Sequence, residues 1–328
     1  LNPGANPPKV GVRSGTWFMS RTEVSPTAVG LDIGSRRFLH PGPLRWLRAL
    51  GWGGLLFVVF MVFYAVASRA GEPAQGESAT PLSFVLVAVL SAVGLGLYAV
   101  AVKLAEGLWP GELDLKRAAP ELVIGVVIGA AMLSAVVAAL LLFGLYDISG
   151  PGTSSPLAMI NVGLASGVFE ELIFRAIVLR LLMRAFGAWP ALALSAALFG
   201  ALHLANPNAT PVAAIAIAVE AGLMLASFYL LTGRLWVSIG AHAAWNFTQG
   251  WIWGARVSGI PVQESLYLST PKAGAPDWLS GGTFGPEASV PAMVIGTSVA
   301  VAVLYHAWKK GNFKTRSESG PLVADVFD

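Results

Sequence analysis

A chain of 328 residues that is 55% hydrophobic and only 12% charged is not built for water; an ordinary soluble domain carries about 25% charged residues. The absence of cysteine excludes a disulfide framework, a thiolate nucleophile and a cysteine-ligated zinc site. The net charge of +3 is small and the basic residues flank apolar runs, which reads as membrane topology rather than nucleic-acid binding.

Residues 1–48 carry Pro, Gly, Ser and scattered Arg, and are expected to form a disordered cytoplasmic tail rather than a cleavable signal peptide. Eight apolar runs follow, near 49–68, 82–105, 121–146, 157–182, 189–205, 211–232, 235–254 and 290–308. Each is long enough, or nearly so, to cross a hydrocarbon core of about 30 Å at about 1.5 Å per residue. Gly150-Pro151-Gly152 and Pro156 precede the fourth run, Trp189-Pro190 opens the fifth and Asn206-Pro207-Asn208 closes it, as Pro and Gly do at helix junctions. The expected fold is an all-α integral membrane bundle of about eight transmembrane helices with a polar active-site cavity between them. Three helices over 49–146 precede a core of four over 147–254, a loop over 255–289, and a last helix and tail over 290–328. In alternate segments fall 18 of the 21 Lys and Arg residues, which puts both termini in the cytoplasm and the 255–289 loop outside, where it is positioned to act as a lid.

Polar residues interrupt three of these runs in an ordered way: Glu170-Glu171-x-x-x-Arg175, Phe199-x-x-x-His203 and His242-x-x-x-Asn246. An ionisable group inside a membrane span is costly and marks a functional site by default. Glu171 and Arg175 are i and i+4 on a helix and are expected to pair, whereas Glu170 is turned about 100° away. Glu170 then faces a polar cavity as a candidate general base. Phe199 lies one turn from His203 and sets its rotamer. His242 and Asn246 share a face, with Gln249 on it three residues on, and side-by-side imidazole and carboxamide donors suit an oxyanion. The bland alternatives are an ion-pair cluster for the carboxylates and interhelical hydrogen bonding for the rest, Asn246 included, worth about 0.6–2 kcal/mol. Glu220, mid-run in the sixth segment, is a further candidate for lining the cavity.

The three pieces in this order, each on its own span, resemble the CPBP family of CAAX proteases and bacteriocin-processing enzymes, which includes the type II CAAX prenyl endopeptidases. The resemblance covers about Leu157 to Gly254, and the run Gly281-Gly282-x-Phe284-Gly285-x-Glu287 looks more loosely like a loop of bacterial members. It implies peptide-bond hydrolysis in or at a bacterial cytoplasmic membrane, on a membrane-anchored protein or peptide, with the lipid bilayer as the other partner and no nucleic acid. Glu170 and His203 would activate water, His242 and Asn246 would hold the oxyanion, and Glu171, Arg175 and Phe199 would support them. Members are often labelled metalloproteases, and Glu170, His203 and His242 are the ligand set if zinc is bound. The HExxH spacing is absent, so glutamate-type catalysis without a cofactor is the favoured reading and zinc the alternative. Two other classes stay open: a non-catalytic scaffold or bacteriocin-immunity protein, and a transporter or proton relay. Straight spans leave one conflict, because Glu170 and Asn246 then fall near mid-membrane while His203 falls at the end of its helix.

Overall fold

The computed structural model describes residues 37–40, 42–73, 77–150, 152 and 155–313. Long helices dominate them: α1 (Arg45–Gly71), α2 (Pro81–Glu106), α3 (Ala118–Leu142), α4 (157–186), α5 (Ala188–Leu202), α6 (Pro211–Thr232), α7 (236–252) and α9 (Val290–Lys309), with a single-turn α8 (Asp277–Ser280) in the last long loop. Two short strands, β1 (Tyr146–Ser149) and β2 (Leu268–Pro271), pair antiparallel with Tyr146 opposite Pro271. They tie the loop before α9 to the α3–α4 connection.

Six helical stretches are long and apolar enough to cross a membrane: α1, α2, Gly111–Leu142, Ala188–Ala205, α6 and α9. The chain is thus an integral membrane protein. Their outer faces expose Leu55, Val58 and Val62 on α1, Val85 and Val89 on α2, and Val294 and Val301 on α9, surface that only lipid solvates without cost. The other two long helices, α4 and α7, carry five of the seven motif residues and are covered by the rest over most of their length.

Local chemistry explains several helix starts. Thr80 and Ser83 cap α2 reciprocally, each hydroxyl accepting the other's backbone N–H at 3.2 Å, and Pro81 occupies the first turn, where no N–H is needed. Thr210 and Ser289 cap α6 and α9 by accepting from Ala213 and Ala292. The expected boundaries shift at a few places. α1 begins at Arg45, four residues before the apolar run, because Arg37–Leu39 fold as a 3-10 turn whose Leu39 is buried and whose Arg37 donates to Leu104 O. Most of the tail expected over 1–48, and the stretch after 313, lie outside the described residues. α3 ends at Leu142 rather than 146, since Tyr146 enters β1.

α7 is held at very short range. Gly125 and Gly129 of α3 lie against the backbone of Val237 to Ala241, and Gly163 and Gly167 of α4 lie against Ile239 and Ala243. Each pair is a Gly-x-x-x-Gly face, which lets backbones approach where any side chain would hold them apart. Two basic residues counted toward topology are not loop charges at all. Arg175 and Arg180 are buried within α4, and Arg180 donates to both oxygens of Glu106 at 2.8 and 2.7 Å, joining α4 to the end of α2.

Candidate active site

Three site-bearing helices depart from regular α geometry. α4 runs as α-helix over Leu157–Glu171, as π-helix over Leu172–Leu179 and as α-helix again over Arg180–Phe186. α6 has a π segment at Ala218–Gly222, and α7 ends in one at Thr248–Ile252. A π turn inserts a residue and re-aims the side chains around it, and such turns cluster at functional sites.

Glu171 is wholly buried and serves two partners through one oxygen. Arg175 Nη1 donates to its Oε1 at 2.9 Å, and His242 Nδ1 lies 2.8 Å from the same atom. A carboxylate only accepts, so His242 Nδ1 carries the proton and Nε2 points away from the pair. Arg175 also donates to the carbonyls of Ala221 and Gly222 at 3.1 and 3.2 Å, and its guanidinium lies 4.8 Å from the centre of the Phe199 ring. One arginine therefore ties α4 to α5 and α6 while neutralising a buried acid.

Glu170 points elsewhere, as its 100° offset predicts. Its Oε1 accepts from the Tyr64 hydroxyl at 2.6 Å, and its Oε2 lies 3.9 Å from His242 Nε2. Tyr64, on α1, stacks on Phe169 with ring centres 6.2 Å apart. His203 ends α5, where the last turn tightens to a 3-10 helix over His203–Ala205. Its Nδ1 donates to the Phe199 carbonyl at 2.7 Å, leaving Nε2 with its lone pair free to accept a proton. The Phe199 ring sits 4.8 Å from the His203 ring and 6.3 Å from that of His242. Asn246 donates to Ser166 Oγ at 2.9 Å, one turn before Glu170 on α4.

Beside His203, His242 and Asn246 lies a cavity of about 30 Å³ lined also by Phe199, Glu220 and, from the loop, Ser258 and Glu287; Glu170, expected to face it, is not part of its lining. That volume holds about two water molecules. His203 reaches it from the end of its helix and His242 and Asn246 from within α7, so the groups that straight spans set at different depths meet at one cavity. The loop over 255–289 closes the same cavity. Glu220 lines it. Gln249 does not; its amide donates to the Arg256 carbonyl at 2.6 Å and anchors the start of the loop instead. Glu287, outside the spans, accepts from the Ser258 N–H, yet burial pushes its carboxyl up to about 8. Among the described residues no three His, Asp or Glu side chains are grouped to hold a metal ion, so Glu170, His203 and His242 do not form a ready zinc set.

Sequence reading missed Tyr64, Ser166 and the placement of Glu287. Ser166 had a signal, since it lies at i−4 from Glu170. Tyr64 had only a lone hydroxyl in an otherwise apolar helix.

No curated protein and no solved structure gives a significant match to the chain. A family model described as type II CAAX prenyl endopeptidase Rce1-like does match, over residues 152–248. That stretch contains Glu170, Glu171, Arg175, Phe199, His203, His242 and Asn246. The polar groups of α4, α5 and α7 thus belong to a domain of the Rce1-like type II CAAX prenyl endopeptidase family.

Proposed function

We propose that this protein is an intramembrane endopeptidase that hydrolyses a peptide bond in a membrane-anchored protein or peptide. Family membership of the 152–248 domain carries the coarser statement, a membrane protease acting on protein or peptide. One juxtaposition supports the finer one. His203, His242 and Asn246 line a water-sized cavity, and Glu170, oriented by Tyr64, lies 3.9 Å from His242.

In this reading Glu170 and the bare Nε2 of His203 take a proton from water as its oxygen attacks the carbonyl carbon. The carbonyl oxygen gains the negative charge and is met by the His242 side chain and by the Asn246 amide. Collapse breaks the carbon–nitrogen bond, and the proton held by Glu170 or His203 passes to the departing amine. Arg175 and Phe199 keep Glu171, His203 and His242 in register. The Lys and Arg bias places both termini in the cytoplasm, with the 255–289 loop on the other face.

The test compares wild type with Glu170→Ala in detergent on a library of membrane-anchored peptides, with and without a chelator. Cleavage by wild type alone, indifferent to chelator, is the expected result. Loss of cleavage with chelator and its return with zinc would replace glutamate catalysis by a metal mechanism. Folded proteins of both kinds that cleave nothing would favour a scaffold or immunity role.

A further inference from the structure

Two carboxylates in the cavity take no part in the chemistry above. Glu220, in the π segment of α6, is 1% exposed, and neither of its oxygens has a hydrogen-bond partner among the described residues. Glu287, from the loop, is 2% exposed; its Oε1 accepts from Ser258 N–H and its Oε2 is unpartnered. Both line the cavity with His203, His242 and Asn246. A buried carboxylate oxygen without a donor is costly, and a protein keeps one where a ligand supplies the donor. Arg175, the guanidinium beside this part of α6, is already committed to Glu171 and to the Ala221 and Gly222 carbonyls.

We propose that Glu220 and Glu287 form a subsite for a protonated primary amine of the substrate, set directly beside the catalytic groups. This rests on the protease reading above and names a chemistry its substrate carries. Two residues that line one cavity carry three unpartnered oxygens between them, and an ammonium group has three N–H donors. The space admits a head group the size of a water molecule or two, whereas a planar guanidinium needs more. Gly296 of α9 leaves room for Glu220 at close range, so the acid is seated by the fold and not stranded at a surface. The amine is either a lysine side chain next to the scissile bond or the amine released by hydrolysis.

The experiment has a binding arm and a turnover arm, both on the full chain in detergent. In the first, melting temperature is followed against n-butylammonium, with n-butanol and, separately, sodium and potassium chloride as controls. A saturable rise with butylammonium alone, lost in Glu220→Gln and in Glu287→Gln, is expected. No rise, or an equal rise in both variants, overturns the proposal, and the same rise with sodium or potassium replaces the amine by an inorganic cation. The two variants sit on different elements, and size-exclusion profiles confirm that each is folded. In the second arm, matched membrane-anchored peptides carry lysine or norleucine beside the cleaved bond. A preference for lysine of about tenfold or more in kcat/KM, collapsing in both variants, assigns the amine to the side chain. A ratio near one, with butylammonium binding intact, assigns it to the released amine. Butylammonium binding that is lost in both variants, in a protein that cleaves no peptide, keeps the subsite and removes the protease reading.

Discussion

Gly167 sits one turn before Glu170 and Glu171, against the stretch of α7 that carries His242. A methyl group there would lie 2.9 Å from Ala243 Cβ, 3.0 Å from the Ile239 carbonyl and 3.1 Å from the Ala243 nitrogen. Ordinary contact begins near 3.4 Å, and two of the three neighbours are backbone that cannot rotate away. Gly167→Ala must therefore part α4 and α7 by roughly 0.5 Å, which is enough to stretch the His242–Glu171 hydrogen bond from its 2.8 Å toward the limit of a useful interaction. A displacement of about 1 Å costs about a hundredfold in rate, so about tenfold in kcat is expected here. Overpacking of this kind costs about 1–3 kcal/mol of stability. Gly96→Ala is the control. Its methyl meets nothing within 4 Å on the lipid face of α2, and a glycine-to-alanine change in an unhindered helix stabilises by up to about 1 kcal/mol. The assay pairs single-turnover cleavage of a membrane-anchored peptide with thermal melting in detergent. Opposite signs for the two variants in melting, and a rate loss for Gly167→Ala alone, are expected. Wild-type rate and melting in Gly167→Ala would refute the claim that backbone contact between α4 and α7 sets the site.

Other predictions follow the same contacts. Tyr64→Phe keeps the stack on Phe169 and removes the donor to Glu170; a hydrogen bond to a charged group is worth about 1.5–3 kcal/mol, so kcat should fall by roughly ten- to a hundredfold. An unchanged kcat for that variant would remove Tyr64 from the site. Arg175→Met leaves Glu171 buried without its cation, and breaking such a pair costs about 3–5 kcal/mol; melting should drop sharply, and partner substitution of Glu171→Gln in the same chain should restore part of it. Glu287 titrates near 8 when folded against an ordinary value of 4.5. A raised folded value means the folded state holds the proton more tightly, so its contribution is full below about pH 4.5 and is lost progressively up to about pH 8. Melting temperature should therefore decline across that window, and Glu287→Gln should flatten the decline; a variant whose profile overlays that of wild type would contradict it.

The motif residues were legible because charge inside an apolar run has few explanations. Glu171 and Arg175 pair at helical spacing, Glu170 faces away from that pair, and Phe199 lies against His203, all from i, i+4 arithmetic. What sequence did not give was set by tertiary register. The π segments of α4, α6 and α7 have no local signature, since the inserted residue is accommodated by packing. Straight, regular spans therefore set His203 at a different depth from Glu170 and Asn246. The partner of Arg180 was not legible because Glu106 lies far away in the chain, at the end of α2. Glu287 could be read only as part of a loose loop resemblance, because its reach into the cavity depends on how 255–289 folds back over the helices. The Gly-x-x-x-Gly faces of α3 and α4 were on the page as plain glycines, and only the path of α7 turns them into contacts.

The size of the cavity bears on kinetics as much as on chemistry. A space of about 30 Å³ admits water but no stretch of polypeptide. For a peptide bond to meet His203 and Asn246, the segment that supplies Ser258 and Glu287 must open to admit it and close again over it, while α7, gripped by glycine on two sides, stays in place. Turnover then begins with a rare open form, and every measured affinity is weaker than the intrinsic one by the fraction of molecules open at that moment. Ligation of the loop to its neighbours, through the β1–β2 pairing and the Gln249–Arg256 hydrogen bond, sets that fraction. Changes far from the catalytic groups, in residues that only hold the loop down, would raise apparent affinity without touching a single reacting atom.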